Sequence, residues 1–390
     1  MTASSIYHLQ KPTVWSEGPE VFSFSSLSSI EQCSLQWQLI HSNYGDLPGF
    51  PARPNPAAVE GDIVHHVLDR LFKEMSIAGL PQLGSTQFSA VVAKVNIRGT
   101  VDELVNEHEK RISIHPRSGG FRLRVAPQEL VNRIIRFFRS EYPKANTGQL
   151  PISIPVPENL SAVPYPRDLS VLLREKGALS EVRIQHPTLP FAGILDLVRL
   201  SNKDITIVDF KTGAPKASHK DQLLYYAVLW WRSTGDAPSA IEVRYPGLAE
   251  STNIKQEQLQ EAEKSLSKRI EEFRLQLHSF PAPARVGEHC RYCDVRQFCD
   301  DYWLSVLTQS AAKKKVKSND IEIVIESETG ANGFNARSSS DVPCCVVFSA
   351  DALKVHGPFT NGTRLRILNA QISDDGSTVE LKPWSEVFHP

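Results

Sequence analysis

Apolar residues along this chain repeat first with a helical period and then with a strand period. In EGDIVHHVLDRLFKEM, Ile63, Val67, Leu68, Leu71, Phe72 and Met75 fall on one stripe, which predicts an amphipathic helix. Upstream, FSFSSLSSIEQCSLQWQLIHSNY reads as a serine-rich cap leading into a helix with Cys33 near its start. Residues 45–59 carry four prolines and read as a loop. Residues 100–142 look helical with an interruption at HPRSGGF, and residues 143–170 are proline-rich and poorly patterned. The period then falls to two. LSEVRIQH, FAGILDLVRL and DITIVDFKTG predict strands, the last two joined by an SNK hairpin turn. KDQLLYYAVLWWRSTG predicts an apolar helix ending at Gly235, AIEVRYPG a further strand, and QEQLQEAEKSLSKRIEEFRLQLHS a long charged helix. This succession places the chain in the α/β class.

The same patterns divide the chain. Residues 1–20 lack periodicity and read as a tail, and residues 21–308 form the main domain. Residues 309–341, with KKKVKSND and ESETGANGFNARSSSD, read as a basic patch and flexible linker. Residues 342–390, with CCVVFSADALKV, TRLRILNAQIS and STVELKPWSEVF, read as the short strands of a small β-rich domain. No internal repeat is visible.

Composition changes this picture in one place. With 43 basic and 44 acidic residues the formal charge is −1, so no global basic field advertises nucleic acid, although a cleft needs only local positive charge. No run of 18 apolar residues occurs and the first residues lack a basic-then-apolar pattern, from which a cytoplasmic protein without a membrane segment is expected. The six cysteines are more telling. Three sit in CRYCDVRQFC, a spacing that suits a metal or cluster site better than a disulfide scaffold. Cys290, Cys293 and Cys299 lack a fourth ligand: His289 would complete a zinc site and Cys33 a four-cysteine site; Cys344 and Cys345 read as ordinary β-domain cysteines.

Candidate chemistry gathers on the strands. In IVDFKTG, Asp209 and Lys211 share a face with Ile205 and Ile207, while Thr206, Val208 and Phe210 share the other. Asp196 lies within GILDL, where an unpaired carboxylate is costly, and Glu181 opens the preceding strand. Singly, each is an ordinary strand-end charge. Together, two carboxylates beside a lysine meet the needs of phosphodiester hydrolysis, where oxygen ligands hold Mg²⁺ and a lysine orients water. His65 lies at the edge of its helical stripe, four residues after Gly61, and matters only if a metal site is near; His66 is set aside as a packing or surface residue. Gln222 and Tyr226, at i and i+4, project from one side of their helix.

Taken in order, these residues resemble the iron–sulfur branch of the RecB-type nucleases within the PD-(D/E)XK superfamily, a branch that includes AddB-type repair nucleases and the exonucleases of CRISPR adaptation. The matching positions are SSLSSIEQC with Cys33, the Gly61-to-His65 helix, Glu181, GILD with Asp196, DFKTG with Asp209 and Lys211, the Gln222–Tyr226 helix and the Cys290, Cys293, Cys299 trio. Ser34 departs from the proline usual after the first cysteine, and residues 76–175 and the last 80 lie outside the match. The resemblance implies a PD-(D/E)XK core, a mixed sheet flanked by helices. It implies that His65, Asp196, Asp209 and the Phe210 carbonyl bind Mg²⁺ or Mn²⁺. Lys211 would position or activate water, and Glu181 would hold a second metal or the site's architecture. Gln222 and Tyr226 would contact DNA or steady the lysine. Cys33, Cys290, Cys293 and Cys299 would ligate a [4Fe–4S] cluster that staples the two ends of the domain.

The expectation is a metal-dependent DNA nuclease, an exonuclease on single-stranded DNA. No GxxxxGK[ST] motif occurs, so it would act on free ends or receive strands from a partner helicase within a repair, recombination or defence complex. The C-terminal domain would be OB-like, gripping DNA through Phe359 and Trp384, or a β-domain for protein contact. A catalytically idle, cluster-stabilised DNA-binding subunit and a zinc-bound nuclease are the rival readings.

Overall fold

The computed structural model of the chain describes residues 3–79, 81–145, 151–153, 166–311, 319–356, 358–382 and 384–390. After a 3-10 turn at Ala3–His8, helices α1 (Phe24–Gln32) and α2 (Ser34–His41) meet at Cys33, whose extended backbone ends one and caps the other. One helix is expected there and two form. Two-residue strands β1 (Asn43–Tyr44) and β2 (Leu47–Pro48) lead into α3 (Pro56–Ile77), followed by α4 (Thr86–Val95), α5 (Ile97–Ser113) and α6 (Pro127–Ala145).

The central sheet comprises β3 (Pro151–Ser153), then after α7 (Pro166–Lys176) the strands β4 (Ala178–Gln185), β5 (Ala192–Ser201) and β6 (Asp204–Phe210). Helix α8 (Ala217–Thr234) carries the chain to β7 (Ala240–Tyr245) and β8 (Leu248–Asn253), and α9 (Gln256–Leu277) follows. Strand order is β3-β4-β5-β6-β7-β8, with β3–β4 and β6–β7 parallel and the other pairs antiparallel. The parallel β6–β7 pair needs a crossover, which α8 supplies. The β5–β6 hairpin expected at SNK forms, and it closes through Asn202 and Lys203, both at positive φ (47° and 77°) as in a primed turn.

Strand alternation sorts the core into two layers. Ile205 and Ile207 pack with Leu223 and Trp230 of α8 and Leu259 and Leu266 of α9. Val208 and Phe210 face the other way, onto Ile63 of α3 and Phe137 of α6. A mixed sheet is thus covered by helices on both faces, as expected from the sequence.

Beyond the sheet, 3-10 turns at Glu288–Tyr292 and Arg296–Phe298 carry the cysteines into α10 (Asp300–Ala311). The C-terminal sheet uses β9 (Ile321–Gly330), β10 (Gly333–Ser338), β11 (Pro343–Val347), α11 (Ala350–His356), β12 (Arg364–Leu368), β13 (Gln371–Ile372), β14 (Thr378–Glu380) and β15 (Glu386–Phe388). Its order is β13-β14-β11-β10-β9-β12-β15, and among the described residues no pairing joins its two edges.

Four expectations are corrected. The flexible linker over 309–341 does not hold for 321–338, because β9 and β10 pair at the middle of the C-terminal sheet. Ile323, Ile325, Phe334 and Ala336 turn inward while Glu326–Gly330 is exposed, so the apolar alternation is short and framed by polar residues. The tail over 1–20 is packed: Ile6 and Tyr7 are buried, and the Tyr7 carbonyl accepts from His389 N–H. ADALKVH is a helix rather than a strand, since the Ser349 hydroxyl accepts from Ala352 N–H as a helix cap. Phe359 does not face a ligand but packs in the core between Phe334 and Phe348, whereas Trp384 is 54% exposed. Residues 1–2 of the tail, 146–150 and 154–165 of the proline-rich stretch, and 312–318 with most of the basic patch lie outside the described residues. Among the described residues, no helix is long and apolar enough to cross a membrane.

Candidate active site

Adjacent strands bring the acidic residues together. Ser180 pairs with Leu197 and Val182 with Leu195, so Glu181 of β4 and Asp196 of β5 occupy facing positions between those pairs. Glu181 holds a positive φ of 50°, a left-handed conformation that costs a non-glycine residue about 1–2 kcal/mol within a strand. Helix α3 supplies His65, and one ligand atom from each of His65, Glu181 and Asp196 falls within 4.8 Å of the other two. His65 Nδ1 is 3.7 Å from Asp196 Oδ2 and its Nε2 is 3.1 Å from the Phe210 carbonyl, while Phe210 N–H donates to Asp196 Oδ2 at 2.8 Å. Asp209 stands beside this group. Lys211 Nζ donates to Asp209 at 3.0 Å and to Gln222 Oε1 at 2.9 Å, and Gln222 Nε2 donates to the Tyr226 hydroxyl at 3.0 Å. His66 is exposed.

Glycine makes the last of these contacts possible. A Cβ on Gly193 of β5 would lie 2.6 Å from Cε1 of Tyr226, so only a hydrogen at this position lets the ring settle on the strand. The GILD glycine therefore seats the aromatic end of a chain that runs from Tyr226 through Gln222 to Lys211.

The electrostatics ask for a cation. Burial and the neighbouring Asp196 push the carboxyls of Glu181 and Asp209 up to about 7, in Asp209 despite the Lys211 ammonium. Burial works against a charged His65, but Asp196, Glu181 and Asp209 outweigh it and raise its pKa. Asp209 Oδ2 is fully buried and has no hydrogen-bond partner beyond the ion pair with Lys211 at 2.8 Å. Crowded carboxylates, an imidazole and a backbone carbonyl form an oxygen-rich donor set of the kind that suits Mg²⁺ or Mn²⁺.

A second cluster lies at the other end of the domain. Cys33, from the α1–α2 junction, meets Cys290, Cys293 and Cys299 around a small cavity also lined by His289, Arg296 and Tyr302. Two of the sulfurs accept from backbone donors: Arg285 N–H bonds Cys33 and Gly287 N–H bonds Cys290, both at 3.4 Å. Burial pushes the thiols of Cys293 and Cys299 up to about 12 and about 11. All four are free thiols, as are Cys344 and Cys345 on β11. Ser34 uses its hydroxyl to bond Ile30 carbonyl and Gln276 of α9, tying the first cysteine's helix to the core.

Comparison with known families decides the identity. A family model described as the PD-(D/E)XK nuclease superfamily matches residues 21–300. The chain belongs to the PD-(D/E)XK nuclease superfamily. No curated protein matches it. A solved structure described as "Crystal structure of SSO0001" is similar to it at a TM-score of 0.24 and 12% identity, covering 63% of this chain and 95% of that one, a likeness too distant to argue from.

Membership in the superfamily implies a metal-dependent nuclease, and the acidic cluster is a possible metal site within the matched span. The fold brings twelve of the residues singled out in the sequence into two clusters. His65, Glu181, Asp196, Asp209, Phe210, Lys211, Gln222 and Tyr226 meet at one end of the sheet, and Cys33, Cys290, Cys293 and Cys299 meet around the cavity. Asp69 escaped the sequence reading. It accepts from the Ser180 hydroxyl at 3.4 Å, pairs with Lys73 at 2.7 Å, and helps raise Glu181. Its signal was present, since it follows His65 by one helical turn.

Proposed function

We propose that this PD-(D/E)XK nuclease is a Mg²⁺- or Mn²⁺-dependent deoxyribonuclease of the RecB type that carries a [4Fe–4S] cluster. One observation supports the reading above all: the Lys211 ammonium is held between Asp209 and Gln222 beside the carboxylates that would bind the metal. His65, Asp196, Asp209 and the Phe210 carbonyl would hold the cation, and Glu181 a second cation or the cluster of ligands itself. A divalent cation bound there polarises the scissile phosphate and acidifies its water. A lysine ammonium has three donors. Asp209 and Gln222 engage two, which leaves the third for the attacking water or a phosphate oxygen. Tyr226 and Gln222 act through Lys211 by fixing where that donor lies.

The cysteine site fits a cluster better than a single zinc ion. A zinc bound by four thiolates draws them to about 3.8 Å from one another, given Zn–S bonds of about 2.3 Å. Among the described residues no three cysteine sulfurs lie within 4.8 Å of each other. Single-stranded DNA ends as substrate, and strands supplied by a partner helicase, complete the proposal; they rest on the resemblance and on the lack of a P-loop motif.

Cleavage of end-labelled single- and double-stranded DNA by anaerobically purified protein tests the reading. Activity should require Mg²⁺ or Mn²⁺, vanish with a chelator, and fall by at least about 10³-fold in Lys211→Ala without loss of fold or iron. Tight binding with no cleavage under any metal would instead favour an idle DNA-binding subunit.

A further inference from the structure

The C-terminal sheet lies outside the family match, which ends at residue 300, yet it holds the inter-cysteine segment at three points. Asp294, one residue after Cys293, is gripped by Arg53 at 3.1 Å through its carboxylate and by Arg117 at 2.8 Å through its carbonyl. Both arginines also bind Glu386 of β15, Arg117 with Nε at 2.6 Å and Nη2 at 2.9 Å. Arg296 is 1% exposed and lines the sulfur cavity. Its guanidinium donates to the Cys293 carbonyl at 2.9 Å, to Asp320 and to Asn369 at 3.0 Å. Gln297 gives its carbonyl to Arg366 of β12 at 2.6 Å.

Asp320 is the hub. It enters β9 buried, and accepts from Arg296, from the Tyr302 hydroxyl at 2.7 Å and from Asn369 N–H at 2.8 Å. Arg296 and Tyr302 both line the sulfur cavity. Between the cysteines the chain forms only two short 3-10 turns, which have little conformational preference of their own.

We propose that the C-terminal sheet is a clamp that holds the Cys290–Cys299 segment in metal-binding shape through Asp320, Arg366 and Glu386, so that sheet docking and cluster retention stabilise each other. This rests on the cluster reading above. Linkage makes the coupling reciprocal: a sheet that favours the filled site is itself favoured by filling it. Asp320 is a positioning residue here. It acts through Arg296, the buried cation at the cavity, whose charge it balances.

The test uses the full chain, anaerobically purified, as wild type and Asp320→Asn. Iron content, the absorbance band at about 400 nm, its decay under a chelator and the reduction midpoint are measured for both. Hydrogen exchange is compared between loaded and chelator-stripped wild type. Asp320→Asn should bleach at least about fivefold faster, and its midpoint should move to more positive potential because Arg296 loses its counter-charge. Stripping wild type should speed exchange in β9, β12 and β15 while β4 and β5 stay protected. Unchanged bleaching and midpoint in a folded Asp320→Asn, or unchanged exchange in stripped wild type, would overturn the clamp alone. If Asp320→Asn fails to fold, the wild-type exchange comparison decides by itself. Wild type purified without iron or the absorbance band would overturn the cluster reading and the coupling with it.

Discussion

At the scale of single residues, the candidate site depends on how closely side chains approach Lys211. Gly193 shows this sharply, since any Cβ there would enter the Tyr226 ring. Gly193→Ala should displace the ring, slacken the Gln222–Lys211 bond and slow single-turnover cleavage by about 10- to 100-fold, with a stability cost of about 1–3 kcal/mol from overpacking. Tyr226→Phe keeps the ring seated and removes only the hydroxyl that accepts from Gln222. It should lose less activity than Gly193→Ala. Equal rates for the two variants in a rapid-quench assay would show that ring placement is not what matters.

Helix α8 shows how one element serves both the core and the candidate site. Leu223, Val228 and Trp230 are fully buried against the sheet, while Gln222 and Tyr226 reach Lys211 from the same helix. The helix ends where Gly235 adopts φ 85° and returns its N–H to the Trp231 carbonyl. Trp230→Ala would open a large cavity in the core. It should cost about 3–5 kcal/mol in denaturant unfolding, while the surviving folded fraction keeps its metal requirement. A loss below about 1 kcal/mol would mean that α8 is not the anchor of this layer.

For the whole molecule, buried ion pairs and sulfurs join segments far apart in the chain. Burial alone would raise the Glu386 carboxyl, but Arg117 and Arg53 hold it at about 2, against an ordinary 4.5. The folded state therefore binds fewer protons than the unfolded state between those values. Glu386 stabilises fully above pH 4.5 and progressively less as pH falls through about 2, a contribution of about 3 kcal/mol. Acid unfolding followed from pH 6 downward should lose much of its slope in that window in Glu386→Gln, and this variant should be less stable at neutral pH, because two arginines lose their carboxylate. Cys293→Ala should lower iron content and melting temperature together, with activity falling as a consequence. If iron and melting temperature both stay unchanged, the cysteines do not staple the fold.

The sequence by itself determined the strand and helix alternation of residues 178–277 and which side chains would be drawn into the two clusters, because period-two and period-3.6 patterns are local and the clustered residues sit at fixed offsets such as Asp209-x-Lys211 and Gln222-x3-Tyr226. It left the N-terminal turn and the β9–β10 hairpin hidden. Ile6 and Tyr7 are buried only because the C-terminal strand arrives beside them, and half of β9 stays exposed as part of a projecting hairpin. Asp294, Arg296 and Asp320 carry no local signal of their burial, for the same reason. A charge is buried when its partner comes from elsewhere in the chain, and only the tertiary structure brings Arg117 to Glu386 or Asp320 to Arg296.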